Sequence, residues 1–447
     1  MNNKLKSLSS VPLRRYLASH AAKPASKSGN EVRTTTLPSG VILASVQSDS
    51  PLARVGVVIR AGARFEPKNQ LGLTHTLRSA AGMTTKNHTG FGITRNIEYF
   101  GGRLSVAGSR DTISYLLEMH NDEDIIARNV SMLGETITAP QFKHWELSDN
   151  IERINADLSI LEDTPYIQLA EALHAVAFKG GLRKSLYTPK FMVGKHTTEA
   201  LQQYVKERFV GPNTAIVGVG LEHDELVQLV GKHFGLQSHQ PSKCQCKFIG
   251  GEVHIDSSLP LTYVALATEG AGLKSGKNAI ALQLFQTILG SGTQIKNAYG
   301  ISQVTRLGRA LPQAPGVAAA AFNLSYEDTG LFGINLIVPN DQDVTMLLKT
   351  AIKEFRNAAA SVNETELNEA KKNLKTSILI ASDTGDSLAT EIGSQLLLRG
   401  GDLNDLTSQI DTISLADLKQ IAQKLLKSKL ALATIGSNAP YLDDLIE

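Results

Sequence analysis

The chain has 447 residues, of which 42% are apolar and 20% charged, a composition typical of folded globular proteins. Its two cysteines, Cys244 and Cys246, are too few for a disulfide scaffold, and alone they cannot complete a four-ligand zinc site. The formal net charge is only +2, no clustered basic patch indicates nucleic-acid binding, and no apolar stretch is long enough to cross a membrane. Any membrane association is therefore expected to be peripheral, through partner proteins.

Residues 1–30 differ in composition from the rest of the chain. They hold six Lys or Arg residues and no acid, and they are rich in Ser and Ala. Without these six cations the chain carries 39 basic and 43 acidic residues, a net charge of −4. A basic, serine-rich, acid-free leader is typical of a mitochondrial transit peptide. We expect cleavage after Arg15 and before Glu31, and a disordered basic tail is the alternative.

The first half of the chain predicts an α+β domain. Runs of β-branched residues bounded by turn signals predict strands, and apolar residues at helical spacing predict helices. In chain order these are strands 41–47 and 54–60, helices 71–83 and 93–100, strands 104–107 and 112–119, and helices 122–138 and 222–234. Residues 237–251, rich in Ser, Gln, Pro, Lys and Gly, predict a linker.

An internal repeat relates the two halves at an offset of about 220 residues. Segments 147–181 and 367–401 each predict a helix, a break at an Asp-Thr pair that can cap the next helix, and a second helix ended by two glycines. A further helix and a β-rich run follow in each copy. Two matches at nearly one offset favour a duplicated domain over two ordinary helix pairs. The predicted organisation is a leader at 1–30, domains at 31–236 and 252–447, and the linker at 237–251.

Several motifs occur in one order from about residue 34 to the C-terminus. A predicted strand leads into residues 61–66 (Ala-Gly-Ala-Arg-Phe-Glu) and then into a helix with Leu-Thr-His-Thr-Leu-Arg-Ser at 73–79. Ile-Glu-Tyr-Phe-Gly-Gly follows at 97–102, and Leu-His-Ala-Val-Ala-Phe at 173–178. This order resembles the inverzincin (pitrilysin-type) metallopeptidase family. The resemblance implies two homologous peptidase-like α+β domains, each a mixed sheet with helices packed on it, joined by a linker and enclosing a cavity.

The zinc motif of that family is degenerate in this chain. Active members carry H-x-x-E-H on this helix, where both histidines bind one zinc and the glutamate acts as general base on the metal-bound water. Here His75 fills the first position, Arg78 replaces the glutamate and Ser79 replaces the second histidine. Arginine is permanently protonated and cannot act as a base, and neutral serine is a poor zinc ligand. By its spacing to residues 173–178, the family's downstream glutamate ligand corresponds to Asp157.

Two candidate ligands, His75 and Asp157, are fewer than the three protein ligands of a catalytic zinc. The second half offers no replacement, because every histidine lies at or before His254. Acids beside His120 and His223 fall where helices are predicted to begin, so we expect them to serve helix N-termini. The sequence therefore predicts no catalytic residue, no metal and no cofactor, and it disfavours an active zinc peptidase.

One loop separates the degenerate members of this family. The presequence-recognising subunit of the mitochondrial processing peptidase carries a long glycine-rich loop, whereas residues 288–297 here contain two glycines. The short loop, together with residues 321–333, resembles the degenerate members found in mitochondrial complex III (ubiquinol–cytochrome c reductase). This implies a non-catalytic structural and assembly subunit on the matrix side of the inner membrane. Its expected partners are core protein one and other complex III subunits.

The alternative is the presequence-recognising, non-catalytic subunit of the mitochondrial processing peptidase. Either role leaves open whether the cavity binds presequence peptides. Electron transfer by the chain itself is not indicated, because it has neither a C-x-x-C-H haem motif nor a cysteine set for an iron–sulfur cluster.

Overall fold

The computed structural model describes residues 32–242, 244–292, 305–311, 316–400 and 406–445. The predicted leader and residues 293–297 of the discriminating loop lie outside these ranges. The strands are β1 (Val32–Thr36), β2 (Ile42–Val46), β3 (Leu52–Ile59), β4 (Arg103–Gly108), β5 (Ile113–His120), β6 (Phe178–Gly180), β7 (Thr214–Val219), β8 (Cys246–Phe248), β9 (Gly251–Ile255), β10 (Leu261–Ala271), β11 (Ala318–Ser325), β12 (Thr329–Pro339) and β13 (Leu430–Ile435). The helices are α1 (Leu73–Ser79), α2 (Gly90–Tyr99), α3 (Glu123–Thr138), α4 (His144–Asp163), α5 (Pro165–Ala177), α6 (Thr198–Arg208), α7 (His223–His233), α8 (Lys277–Leu289), α9 (Arg306–Ala310), α10 (Val344–Ser361), α11 (Glu364–Ser382), α12 (Gly385–Leu398), α13 (Leu406–Asp411) and α14 (Leu415–Leu426). None of the described helices is long and apolar enough to cross a membrane.

The two large sheets share one topology. The first has the order β1-β2-β7-β3-β5-β4 and the second the order β11-β12-β10-β13-β9. Each has one parallel pair, β2–β7 or β9–β13, beside three successive antiparallel pairs. Strands β2, β7, β3, β5 and β4 thus correspond to β9, β13, β10, β12 and β11, and β1 extends the edge of the first sheet. The predicted duplication and the mixed-sheet α+β class are confirmed. The cavity and the domain boundaries stay predictions.

The second helix of each repeated pair packs on the sheet of the other half. On the second sheet, α5 of the first half packs against a face lined by alanines, which are Ala265, Ala267, Ala431 and Ala433. On the first sheet, α12 of the second half packs against Val58 and Val217 through Ile392 and Leu396. Each helix buries its apolar face only when the other half is folded, so the two halves stabilise each other.

Small residues allow α12 to approach the first sheet closely. A Cβ atom on Gly393 of α12 would lie 2.5 Å from Cγ2 of Val58, and one on Gly56 of β3 would lie 3.1 Å from Cβ of Ala389. The first distance is shorter than real Cβ contacts allow, so a side chain at Gly393 would push the helix away from the sheet.

A buried guanidinium group joins the two halves. Arg64 is only 2% exposed, and it donates to Asp111 of the first half at 2.6 Å and to Asp328 of the second half at 2.9 Å. Asp111 also accepts the backbone N–H of Glu327 at 2.8 Å. Burial alone would lower the pKa of Arg64, but the hydrogen bond to Asp328 and the charge of Asp111 outweigh it and raise that pKa. The guanidinium therefore stays charged, and its contacts fix the turn between β11 and β12 against the first half.

A buried histidine makes a second link between the halves. Nδ1 of His174 on α5 lies 2.6 Å from the carbonyl of Ala170, and its Nε2 lies 2.6 Å from the hydroxyl of Tyr326. The carbonyl can only accept, so Nδ1 carries the proton and Nε2 accepts from the tyrosine. The side chain is 1% exposed, and burial, together with the charge of Arg110, lowers the pKa of His174 to about 3. The imidazole is therefore neutral at pH 7.

The ends of two predicted helices differ from the structure. The helix predicted at 71–83 spans only Leu73–Ser79, because Gly72 at its start and Gly82 beyond its end adopt left-handed backbone angles, with φ of 78° and 83°. The Gly180-Gly181 pair does not end a helix, because α5 stops at Ala177 and β6 pairs with β8 inside the predicted linker. In the second copy, Gly400, with φ of 85°, does follow the end of α12 as predicted.

The predicted capping at the helix breaks is wrong. Thr164 and Thr384 precede α5 and α12, but neither side chain accepts a hydrogen bond from the first turn. Pro165 begins α5 and has no N–H to offer, and the hydroxyl of Thr384 contacts Ser387 and the carbonyl of Ala381 instead.

The close packing at Gly393 is tested by adding one methyl group. Gly393→Ala should lower the free energy of unfolding by about 1–3 kcal/mol, because the helix must move off the sheet. The matched control is Gly231→Ala on the exposed face of α7, where a Cβ atom would contact nothing within 4 Å. Helix propensity should raise the stability of that control by up to about 1 kcal/mol. Urea unfolding of both variants measures the difference, and equal responses would refute the packing argument.

The buried neutral His174 predicts a loss of stability in acid. The pKa of His174 in the folded chain lies below its value in the unfolded chain. At pH values between these two pKa values the unfolded chain binds more protons, so stability falls as the pH drops from about 6.5 towards 3. At pH 5 this group should lower the free energy of unfolding by about 2 kcal/mol relative to pH 7. Urea unfolding at pH 7 and pH 5 should show a smaller difference for His174→Gln than for the parent. Exposed His239→Gln should retain the parent's difference, and a variant at 174 that did the same would contradict the assignment.

Candidate functional site

The helix that carries the degenerate motif is held at its N-terminus by a buried carboxylate. Glu66 is 4% exposed and accepts the backbone N–H groups of Gly72 at 2.9 Å and of Thr74 at 2.8 Å. It also accepts the hydroxyl of Thr74 at 2.7 Å. Burial raises the pKa of Glu66, and these hydrogen bonds oppose that rise. A carboxylate at this end of α1 fits both the unpaired N–H groups and the helix dipole.

His75 and Asp157, the two candidate ligands, contact each other. Nε2 of His75 lies 3.1 Å from Oδ2 of Asp157 on α4, and the backbone N–H of Thr188 donates to Nδ1 of the same ring at 3.1 Å. Since Nδ1 is an acceptor, the ring proton is assigned to Nε2, which donates to the aspartate. Burial lowers the pKa of His75 and the charge of Arg78 adds to that effect, against the hydrogen bond to Asp157. The imidazole is thus neutral and both of its nitrogens are occupied.

Arg78 lies across the space beside this pair. Its Nη2 donates to the carbonyl of Leu186 at 2.7 Å, and its side chain passes directly over Gly108 of β4. A Cβ atom on Gly108 would lie 2.4 Å from Cδ of the arginine, so the glycine makes room for it. Burial lowers the pKa of Arg78, and the charges of surrounding groups, Asp157 among them, oppose this. The guanidinium places a fixed positive charge at the motif position where H-x-x-E-H has its general-base glutamate.

Ser79 faces α4 and not a metal. Its hydroxyl donates to Oδ1 of Asn150 at 2.8 Å, and both side chains are buried. The carbonyl of Ser79 accepts from Arg153, one turn further along α4, at 3.3 Å. Together with the His75–Asp157 contact, these bonds tie α1 to α4 at positions four residues apart on α1. The former ligand positions therefore act as structural cross-links.

The residues present do not fit a zinc centre. The hydroxyl of Ser79 is committed to Asn150, and the general-base position holds a cation that cannot take a proton from water. Among the residues that the structure describes, no group of three His, Cys, Asp or Glu side chains is placed to hold a metal ion.

The acids near His120 and His223 lie at the N-termini of α3 and α7. Asp122, next to His120, accepts the backbone N–H of Ile125 and so caps α3, as predicted for helix N-termini. His223, in the first turn of α7, lies 2.8 Å from each of the hydroxyls of Thr35 and Ser45.

Several residues that shape the site were not predicted. His196 contacts the hydroxyl of Thr76 at 2.8 Å and the carbonyl of Leu71 at 3.1 Å, and so joins the segment before α6 to α1. Thr188 donates its hydroxyl to the carbonyl of Gly72 at 2.9 Å. Both lie more than 100 residues from α1 in sequence, and no local pattern marks them. Glu66 belongs to the motif at residues 61–66, and an acid shortly before a helix is a recognisable capping signal.

Comparisons with known proteins agree with this geometry. Residues 41–190 match the insulinase domain of peptidase family M16, and residues 195–374 match the peptidase M16 inactive domain. The cytochrome b-c1 complex subunit 2, mitochondrial, of Homo sapiens is 31% identical over 93% of this chain and 92% of its own length, and the Mus musculus protein is equally similar. The mitochondrial-processing peptidase subunit alpha of Solanum tuberosum is 28% identical over 91% of this chain and 82% of its own length. The predicted peptidase family is confirmed.

Restoring the motif should restore metal binding. In the parent chain we expect no stoichiometric zinc after dialysis, because base and second ligand are replaced. Arg78→Glu combined with Ser79→His supplies a second histidine and removes the opposing charge, and Asp157 already lies beside His75. This double variant should bind about one zinc per chain by metal analysis, as three-ligand sites do.

The control for that experiment adds Asp157→Asn to the double variant, which should lose most of the zinc. Zinc in the parent chain that disappears with His75→Ala would contradict the structural assignment of the site. A double variant that binds no zinc would show that α1 and α4 are not placed as described.

Proposed function

This chain belongs to the M16 (insulinase-type) peptidase family, and we propose that it is a non-catalytic structural and assembly subunit of mitochondrial respiratory complex III, equivalent to core protein two. The observation that carries this proposal is the end-to-end match to cytochrome b-c1 complex subunit 2, which leaves few residues of either protein uncovered. The chain is not itself an enzyme, although the complex passes electrons from ubiquinol to cytochrome c.

The geometry of the degenerate motif supports a structural role. His75, Ser79 and their partners Asp157 and Asn150 join two helices through buried hydrogen bonds. A site retained for catalysis would keep a base and an open ligand position. Here the same positions contribute to packing, so the chain contributes to an assembly through its surfaces and not through catalysis.

Exposed aromatic side chains support contacts with other subunits. Phe91 and Tyr99 lie at the two ends of α2, and each is 77% exposed. Exposed aromatic residues are enriched at protein–protein interfaces. We propose that core protein one and other complex III subunits cover such surfaces and hold the chain on the matrix side of the inner membrane. We further propose that residues 1–30 are the transit peptide removed on import.

The alternative is the presequence-recognising subunit of the mitochondrial processing peptidase. It is favoured by the 28% identity to such a subunit, but that relative is longer, and 82% of its length is covered. The short loop at 288–297, with two glycines, does not match the glycine-rich loop of that subunit. Binding of presequence peptides is compatible with both roles.

Extraction of mitochondrial inner membranes distinguishes the two functions. As a subunit of complex III, the chain should resist high-salt and carbonate washing, because obligate interfaces bury more than about 2,000 Å² of largely apolar surface that salt screens weakly. In mild detergent it should then migrate with cytochrome b and c-type haem on a native gel. Release of the intact chain alone, with the haem-containing complex unchanged, would refute the proposal. Co-purification with a soluble presequence-cleaving activity would support the alternative instead.

A further inference from the structure

The two cysteines of the chain lie together at the junction between its halves. Cys246 begins β8, and Cys244 lies two residues before it. The sulfur of Cys246 accepts the backbone N–H of Leu182 and a guanidinium N–H of Arg64, both at 3.3 Å. The thiol of Cys244 donates to the carbonyl of Arg64 at 3.5 Å. Both side chains are half-buried, so small reagents in solution can reach them.

Positive charge surrounds this pair. The ammonium group of Lys184 donates to the carbonyls of Arg64 and Glu66, beside the sulfurs. Hydrogen bonding between the two sulfurs, aided by the charges of Arg64 and Lys184, lowers the pKa of one thiol of the pair and raises the pKa of the other. At neutral pH one sulfur is therefore a thiolate, and its neighbour keeps a proton.

A thiolate beside a protonated thiol has the two roles that disulfide exchange requires. The thiolate is the attacking nucleophile, and the neighbouring thiol resolves the mixed disulfide that results. A disulfide between residues two apart closes a very small ring, and strained, accessible disulfides are the readily reduced ones. The arrangement is therefore suited to reversible reaction and not to a permanent cross-link.

We propose that Cys244 and Cys246 form a redox-reactive dithiol, a modification site for small disulfides of the glutathione class. The thiolate of the pair attacks one sulfur of the small disulfide, whose S–S bond breaks, and one small thiolate leaves. The neighbouring thiol then attacks this mixed disulfide and forms the Cys244–Cys246 bond, and the second small thiol departs with the proton that the neighbouring thiol gives up. The two cysteines lose two electrons in total, and one small disulfide is reduced to two thiols.

The full chain tests this directly, because it has no other cysteine. The probe is 4,4′-dithiodipyridine, which releases a coloured thiopyridone each time a thiolate attacks it or a mixed disulfide is resolved. The reduced parent chain should release two thiopyridones and end about 2 Da lighter, with no adduct in its intact mass. Cys246→Ser should release one and retain one adduct, because no resolving thiol remains. Two stable adducts on the parent chain would overturn the proposal.

Reaction rates test whether the folded surroundings activate the pair. At pH 6, the folded parent chain should react about tenfold faster than the same chain in urea, since a lower pKa raises the thiolate fraction more than it lowers nucleophilicity. Lys184→Gln should slow the reaction of the folded chain, whereas exposed Lys247→Gln, the matched control, should leave it unchanged. Equal rates for the folded and the unfolded parent chain would refute the proposal.

Discussion

The structure depends on one buried cation that two halves of the chain share. Arg64 contributes a guanidinium with almost no exposure to solvent, and Asp111 and Asp328 supply its carboxylates from opposite halves. A buried charge without such partners would be strongly destabilising, so the halves must meet in one orientation for the cluster to form. The hydrophobic contacts of α5 and α12 supply stabilisation, and this cluster selects the geometry in which those contacts are made.

The same short turn connects this junction to the degenerate site. Arg64 and Glu66 are two residues apart, and the first joins the halves while the second holds the N-terminus of α1. The helix that would bear a zinc motif is therefore positioned by the architecture, whether or not a metal is bound. This explains how the ligand positions could be replaced without loss of the fold. Ser79 and Asn150 now make a neutral hydrogen bond. Arg78 supplies a positive charge that interacts with neighbouring carboxylates.

The fold could be predicted largely from local patterns. The strands near residues 41–47 and 54–60 and the repeat at an offset of 220 residues are visible because alternation, glycine turns and duplication are properties of nearby sequence. The motif spacing of a related family identified His75 and Asp157 as counterparts of two ligand positions, and the structure adds that they contact each other. The contacts of Thr188 and His196 with α1 could not be predicted, because they join segments far apart in sequence and involve ordinary polar residues. For the same reason, the packing of α5 and α12 on the sheet of the other half could not be predicted. An amphipathic helix shows that it needs a partner surface, but its own sequence does not show which sheet provides it.

The packing of α12 on the first sheet also constrains the order in which the chain can fold as it is synthesised. The face of the first sheet around Ala44 and Val46 is covered by α12, whose residues follow about 340 positions later. Until those residues emerge, this apolar face has no native cover, and a nascent first half exposes it to aggregation. Complete burial of this face must therefore await synthesis of nearly the whole polypeptide.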